Sequence, residues 1–268
     1  MYEVDPSGER GGERTALGIG QDFTYDDRDP SRPRFYYTEG RDDGAVRRFT
    51  PHPDTVAKYR GGSEAFNMLH SDLGTFEYLV LQSQMGNLTH SRGTHQWSTS
   101  FARGRQSAQI YYPRTEGIDC HDGRLFFVSK ERKEQFVLDL DDETFTTTTT
   151  VSGMFDQIAY TRNGIVDKGD GKGKGRRILS KGSKGQPMLF FLEESGGRNG
   201  IHARDRLGNY HTILEGQDAN WVETTGLAFS PDRRHMYFAF QQEGLLYDVW
   251  REDGGRFDAE IHRADYDS

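Results

Sequence analysis

The chain has 268 residues, enough for one large domain or two ordinary ones. Its 42 acidic residues outnumber 34 basic ones, and the net charge of −8 argues against a nucleic-acid or anionic-membrane surface, because both need a basic field. The single cysteine, Cys120, excludes an intrachain disulfide, and no apolar run approaches the roughly 18 residues that span a bilayer.

In chain order, Tyr2 to Gly18 (YEVDPSGERGGERTALG) reads as a hairpin that begins with a strand already under way, so further blades are expected upstream. Gln21 to Gly40 (QDFTYDDRDPSRPRFYYTEG) opens with a polar start and a short strand, turns through Asp and Pro, and continues into an aromatic strand. Gln84 to Tyr112, rich in Ser, Thr, Gly and Arg, reads as a long loop. The opening pattern then recurs in Thr115 to Lys130, in Phe155 to Ser195 and in Glu223 to Gln241. Each copy is followed by a second hairpin with alternating apolar residues, as in Gln135 to Thr150, Gly200 to Gly216 and Gly244 to Arg263.

Inside the third copy lies Asp167 to Gly185 (DKGDGKGKGRRILSKGSKG), too poor in apolar residues to offset ordering entropy and therefore expected to be disordered over 167–185. It is not a phosphate-cradling loop, since no Gly-Lys in it is followed by Ser or Thr and no strand leads into a helix.

Two hairpins per repeat make a four-stranded antiparallel blade. The expectation is an all-β fold, a single β-propeller domain over 1–268 with about four blades plus one hairpin of an incomplete six-bladed ring. The start of a blade's first strand and the end of its second then fall near one another. Glu116, Asp156 and Glu223 stand at first-strand starts; Glu39, Lys130, Glu193, Glu194 and Gln241 stand at second-strand ends. Carboxylates gathered in this way repel unless a cation neutralises them, which points to Ca²⁺ or another oxygen-loving metal. Lys130 either contacts phosphate or pairs with a neighbouring carboxylate. The nine histidines form no zinc-hydrolase spacing; His202, His211 and His235 fall on strand patterns, where packing is the expected role. No G-x-S-x-G nucleophile motif occurs.

The stretches RPRFYYTEG, AVRRFTP, YYPRTEGID, LFFVSK, FVLDLDDETFTTTTTVSG, GIHARDRLGNYHTILE and ETTGLAFSPDRRHMYFAF resemble, in the same order, the C-terminal part of the PhoX-type alkaline phosphatase-like propeller family. The resemblance implies a six-bladed propeller with calcium and iron on its axis, hydrolysis of small phosphorylated substrates, and a secreted or periplasmic setting. It implies a metal role for Glu116 in TEGID, Glu193 and Glu194 in LFFLEES, and Glu223 in ETTGL, which coincide with the acidic positions of the repeat. Arg198 joins Lys130 as a candidate for binding the substrate's negative charge. The family's upstream Cys-Glu-Glu segment is not in this sequence, its Phe-Glu is replaced by Gly20-Gln21, and a longer loop is shortened to MFDQI. These departures favour weak or absent turnover. Two other functions remain open on the residues alone: a non-catalytic calcium-binding scaffold and a lactonase-like propeller with one axial metal.

Overall fold

A computed structural model describes residues 1–3, 11–26, 28–59, 65–71, 73–83, 91–149, 154–161, 188–195, 200–205, 209–215 and 224–257. The expected disordered insertion, Arg198 and Glu223 lie outside the described residues, as do the side chain of Glu194 and residues 258–268. The chain divides into two compact units, Met1–Ile158 and Ala159–Ser268. No helix among the described residues is long and apolar enough to cross a membrane.

The first unit opens with a minimal hairpin, β1 (Tyr2–Glu3) against β2 (Glu13–Arg14). One sheet of nine strands follows. It contains β3 (Phe23–Asp26), β4 (Arg34–Tyr37), β5 (Arg47–Pro51), β6 (Gly74–Ser83), β7 (Arg92–Ser98), β8 (Thr115–His121), β9 (Arg124–Ser129), β10 (Glu134–Asp139) and β11 (Thr144–Thr149), in the spatial order β3-β4-β5-β6-β7-β11-β10-β9-β8. Two four-stranded antiparallel meanders, β3 to β6 and β8 to β11, are thus joined through β7, which pairs with both β6 and β11.

The turns are written in the sequence. His121 pairs with Arg124 across Asp122-Gly123, and both turn residues have positive φ, 45° and 77°. That is the two-residue hairpin geometry which an Asp-Gly pair adopts with little strain. β9 is buried at every position after Arg124, whereas β11 alternates, as expected for a strand inside a meander and one nearer its rim. Phe127 on β9 stacks on Phe136 of β10 at 4.7 Å between ring centroids, and Tyr112 meets both rings edge-on.

The expectation of a long loop over Gln84 to Tyr112 is overturned. Although residues 84–90 are outside the described set, Arg92–Ser98 is strand β7 and Phe101–Tyr111 is helix α2. Ser100 caps the helix by accepting from the Arg103 amide. The buried face of α2 is Gly104, Ser107 and Ala108. It is small rather than apolar, so it leaves no hydrophobic period in the sequence; tertiary contacts hold the helix instead. The Ser107 hydroxyl accepts from the Leu81 amide, and the Tyr112 hydroxyl donates to the Leu79 carbonyl, both on β6. A seven-residue helix α1 (Pro53–Tyr59) and a 3₁₀ turn (Ala65–Leu69) fill the connection between β5 and β6.

The division between units falls within β12 (Met154–Tyr160). This strand begins a four-stranded sheet in sequential order with β13 (Leu189–Ser195), β14 (Gly200–Arg204) and β15 (Tyr210–Glu215). A three-stranded sheet follows, β16 (Thr224–Phe229), β17 (His235–Phe240) and β18 (Leu245–Trp250). The core of the second unit joins Phe190 and Leu192 of β13 and Ile201 of β14 to Met236 and Phe238 of β17, so adjacent blades pack face to face.

Candidate functional site

The register of the blades creates one recurring junction, in which the end of one blade's second strand meets the start of the next blade's first strand. Just past β4, the Thr38 hydroxyl donates to the Glu116 carbonyl at 2.6 Å, and the Gly40 amide donates to the Thr115 carbonyl at 2.9 Å. Just past β9, Lys130 reaches Asp156 on β12. In the second unit the Thr224 hydroxyl, opening β16, donates to the Glu193 carbonyl near the end of β13 at 3.0 Å.

In the first unit this geometry gathers charge. Glu116 and Asp156 are both buried, and the Lys130 ammonium stands between them, 3.7 Å from Glu116 Oε1 and 3.4 Å from Asp156 Oδ1. A register shift in β8 between Thr115 and Ile118 coincides with Glu116-Gly117. Gly117 lies so close to β12 that a Cβ there would sit 2.5 Å from the Ile158 nitrogen. The bare glycine is what lets β12 bring Asp156 to the cluster.

Asp22, just ahead of β3, is the member that sequence reading missed. Its Oδ2 accepts from the Ile118 amide at 2.9 Å, while the Thr24 hydroxyl accepts from the Cys120 amide at 3.1 Å; these bonds tie β3 to β8 at the two ends of the nine-stranded sheet. Burial pushes the Asp22 carboxyl up to about 6, with Asp119 and Asp156 adding to the rise and the Ile118 and Phe23 amides opposing it. The sequence signal was available: QDF aligns with TEG and FDQ when Asp22 rather than Gln21 is set against Glu116 and Asp156.

A pH effect follows. Because the folded carboxyl binds its proton more tightly than an ordinary aspartate, which titrates at about 3.9, the native state holds the extra proton between about pH 4 and 6. Its stabilising contribution is full below that window and lost as pH rises through it, by at most about 3 kcal/mol. Asp22→Asn is expected to flatten the dependence of urea midpoint on pH across that interval. An unchanged slope in the variant would assign the effect to other groups.

The other candidate residues are placed as follows. Glu39 is held by two arginines, Arg41 at 3.2 Å and Arg47, and the Arg47 guanidinium lies over the rings of Tyr37, Tyr78 and Phe101. Its backbone adjoins the junction with Glu116, but its carboxylate is engaged by arginine rather than by Lys130. Glu193 is fully buried in the second unit, with Oε2 3.2 Å from His202 Nε2. Gln241 is exposed beyond β17. The three strand histidines expected only to pack each meet a carboxylate: His202 meets Glu193, His211 meets Asp205 at 3.4 Å, and His235 meets Asp248 at 2.8 Å.

Among the described residues no group of three or more His, Cys, Asp or Glu side chains is arranged to hold a metal. Carboxylate oxygens such as those of Glu116 and Asp156 do fit a hard cation in kind. The positive charge that the structure places among them is the Lys130 ammonium.

Antiparallel meanders of this register, packed face to face, define a β-propeller fold. No family model matches the sequence, and no curated protein sequence matches it. Among solved structures, the fold is similar to Pseudomonas fluorescens PhoX in complex with vanadate, a transition state analogue, with a TM-score of 0.65 and 16% identity over 97% of this chain. The chain spans 58% of the length of that PhoX chain. A streptogramin B lyase structure also matches, with a TM-score of 0.30 and 11% identity over 90% of this chain and 87% of the lyase.

Proposed function

We propose that this chain is a calcium-binding propeller built on the plan of a PhoX-like phosphomonoester hydrolase, with little or no turnover of its own. The observation that carries the proposal is the buried cluster at the starts of β3, β8 and β12, where Glu116 and Asp156 flank Lys130 and Asp22, bonded to the Ile118 amide, lies near enough to feel the charge of Asp156. Glu116 and Asp156 in the first unit, and Glu193 in the second, would supply oxygen ligands to calcium in their respective units. Glu194 and Glu223 are further candidates by resemblance, and iron is the second metal that the resemblance suggests. A bound divalent ion would polarise phosphoryl oxygens.

The chain's own residues have narrower tasks. Lys130 offers a positive charge to a phosphate oxygen only by giving up its contacts with Glu116 and Asp156. Arg198 is the other candidate for that charge. Asp22, whose carboxyl changes charge near pH 6, can take up or release a proton beside the cluster. Weak turnover is supported by the engagement of Lys130 with two carboxylates and of Glu39 with two arginines.

Thermal unfolding in calcium and in EDTA, run beside hydrolysis of p-nitrophenyl phosphate, tests the proposal. Calcium at a hundredfold its dissociation constant stabilises by about 2.7 kcal/mol, a shift of a few degrees, and p-nitrophenol release is expected to stay near the blank. Robust hydrolysis that EDTA abolishes would make the chain an enzyme instead. No calcium shift and no hydrolysis would remove the cation reading.

A further inference from the structure

At the opposite end of β3 from Asp22, the β3–β4 connection and the β10–β11 turn enclose a cavity of about 290 Å³, walled by Asp26, Arg28, Asp29, Arg32, Arg34 and Asp141. The Arg28 guanidinium is held between two carboxylates, Asp26 at 2.9 Å and Asp141 at 2.8 Å. Arg32 is exposed and Arg34 half-buried, and neither forms an ion pair or a side-chain hydrogen bond among the described residues. The turn that presents them is stiff. The Arg32 amide donates to the Asp29 carbonyl at 2.9 Å, Pro30 occupies the second position of that turn, and Pro33 separates the two arginines. The Ser31 hydroxyl and amide both donate to Asp29 Oδ1, which holds the carboxyl below the usual aspartate range and leaves Oδ2 open to a further donor. Asp29 and Arg32 also wall a second cavity of about 480 Å³, to which Thr50 on β5 and Thr75 on β6 contribute hydroxyls.

We propose that these adjoining cavities bind a small hydroxylated oxyanion, a sugar that carries a carboxylate or a phosphate group. Arg32 and Arg34 take the anionic group, since each guanidinium offers a fork of donors matched to such oxygens. Asp29 Oδ2 and the Thr50 and Thr75 hydroxyls take the hydroxyls of the sugar. The balance of charge separates this ligand from a bare anion. Arg28, Arg32 and Arg34 offset Asp26, Asp29 and Asp141, so there is no net positive field to gather inorganic anions. An oxyanion gains here only through direct hydrogen bonds to the arginine pair, and hydroxyls add contacts to Asp29 that a bare anion lacks. The larger cavity alone falls in the range of small-molecule sites, roughly 300–1,000 Å³. The cluster around Lys130 takes no part, so the proposal stands whether or not calcium binds there.

Calorimetric titration of the full chain in EDTA, at constant ionic strength, tests it with glucuronate, glucose 6-phosphate, glucose and inorganic phosphate. Millimolar affinity is expected for at least one of the two sugar anions, and the one that binds names the anionic group. Glucose and inorganic phosphate are each expected to bind at least about tenfold more weakly. Arg32→Gln and Arg34→Gln each remove one guanidinium without breaking an ion pair. Each is expected to weaken binding about tenfold while the thermal midpoint of the free protein stays at the parent value. Three results overturn the proposal: neither sugar anion binds, glucose or inorganic phosphate binds as tightly as the sugar anion, or either arginine variant binds it as the parent does.

Discussion

Replacing Lys130 with methionine is expected to lower stability by about 3–5 kcal/mol at neutral pH, the range found when one partner of a buried ion pair is removed. Lys130 is 12% exposed, and Glu116 and Asp156 are 7% and 8% exposed at their side chains, so water cannot take over its role. The methionine fills the volume of the lysine stem, leaving loss of charge as the main change. Two controls separate that loss from a packing defect. Adding Asp156→Asn to the variant lowers the excess negative charge, so the double variant is expected to lose less than the sum of the two single losses. Calcium is expected to stabilise Lys130→Met more than the parent, because a divalent ion can occupy the charge position that the ammonium leaves. Urea unfolding of the four proteins with and without calcium reads all of these effects. A Lys130→Met loss below about 1 kcal/mol would show that the ammonium is not the cluster's counter-charge.

Gly117→Ala comes next, with an expected loss of about 3 kcal/mol. The added Cβ would lie 2.5 Å from the Ile158 nitrogen, 2.7 Å from the Gln157 Cα and 2.8 Å from the Gln157 carbonyl carbon. All three are backbone atoms and cannot rotate aside, so β12 must move away from β8. That movement carries Asp156 away from Lys130. The variant is therefore expected to lose the extra stability that calcium confers on the parent, as well as stability in its absence. Thermal unfolding in calcium and in EDTA measures both. A fully stable Gly117→Ala that still responds to calcium would mean that β12 tolerates displacement and that its approach does not set the cluster.

The hairpins were legible because their signals are local. Runs of aromatics, as in RFYY, and the His121-Asp122-Gly123-Arg124 turn define a strand or its reversal within a few residues. Glu116, Asp156 and Lys130 were legible through the repeat, since equivalent positions in successive blades converge where the chain passes from one blade to the next. Asp22 was missed because the register was set one residue too early, on Gln21. The engagement of Glu39 was illegible for a different reason: Arg47 reaches it from β5, whose residue 47 pairs with Tyr37 in a register that no local motif specifies. Helix α2 offered no apolar stripe to read, as Gly104, Ser107 and Ala108 press against the sheet by being small.

The ladder through β7 also limits how such a chain can change its length by gene duplication. Where neighbouring blades touch only through side chains, one copy can be gained or deleted and the rest still stack. Here β7 is hydrogen-bonded to β6 on one side and β11 on the other. Cutting between the two meanders would strip one of them of its outer partner and leave a row of unpaired amides and carbonyls, an invitation to aggregation. For this half of the protein the heritable unit is the stitched pair of blades, and viable length variants are expected to keep or lose both together.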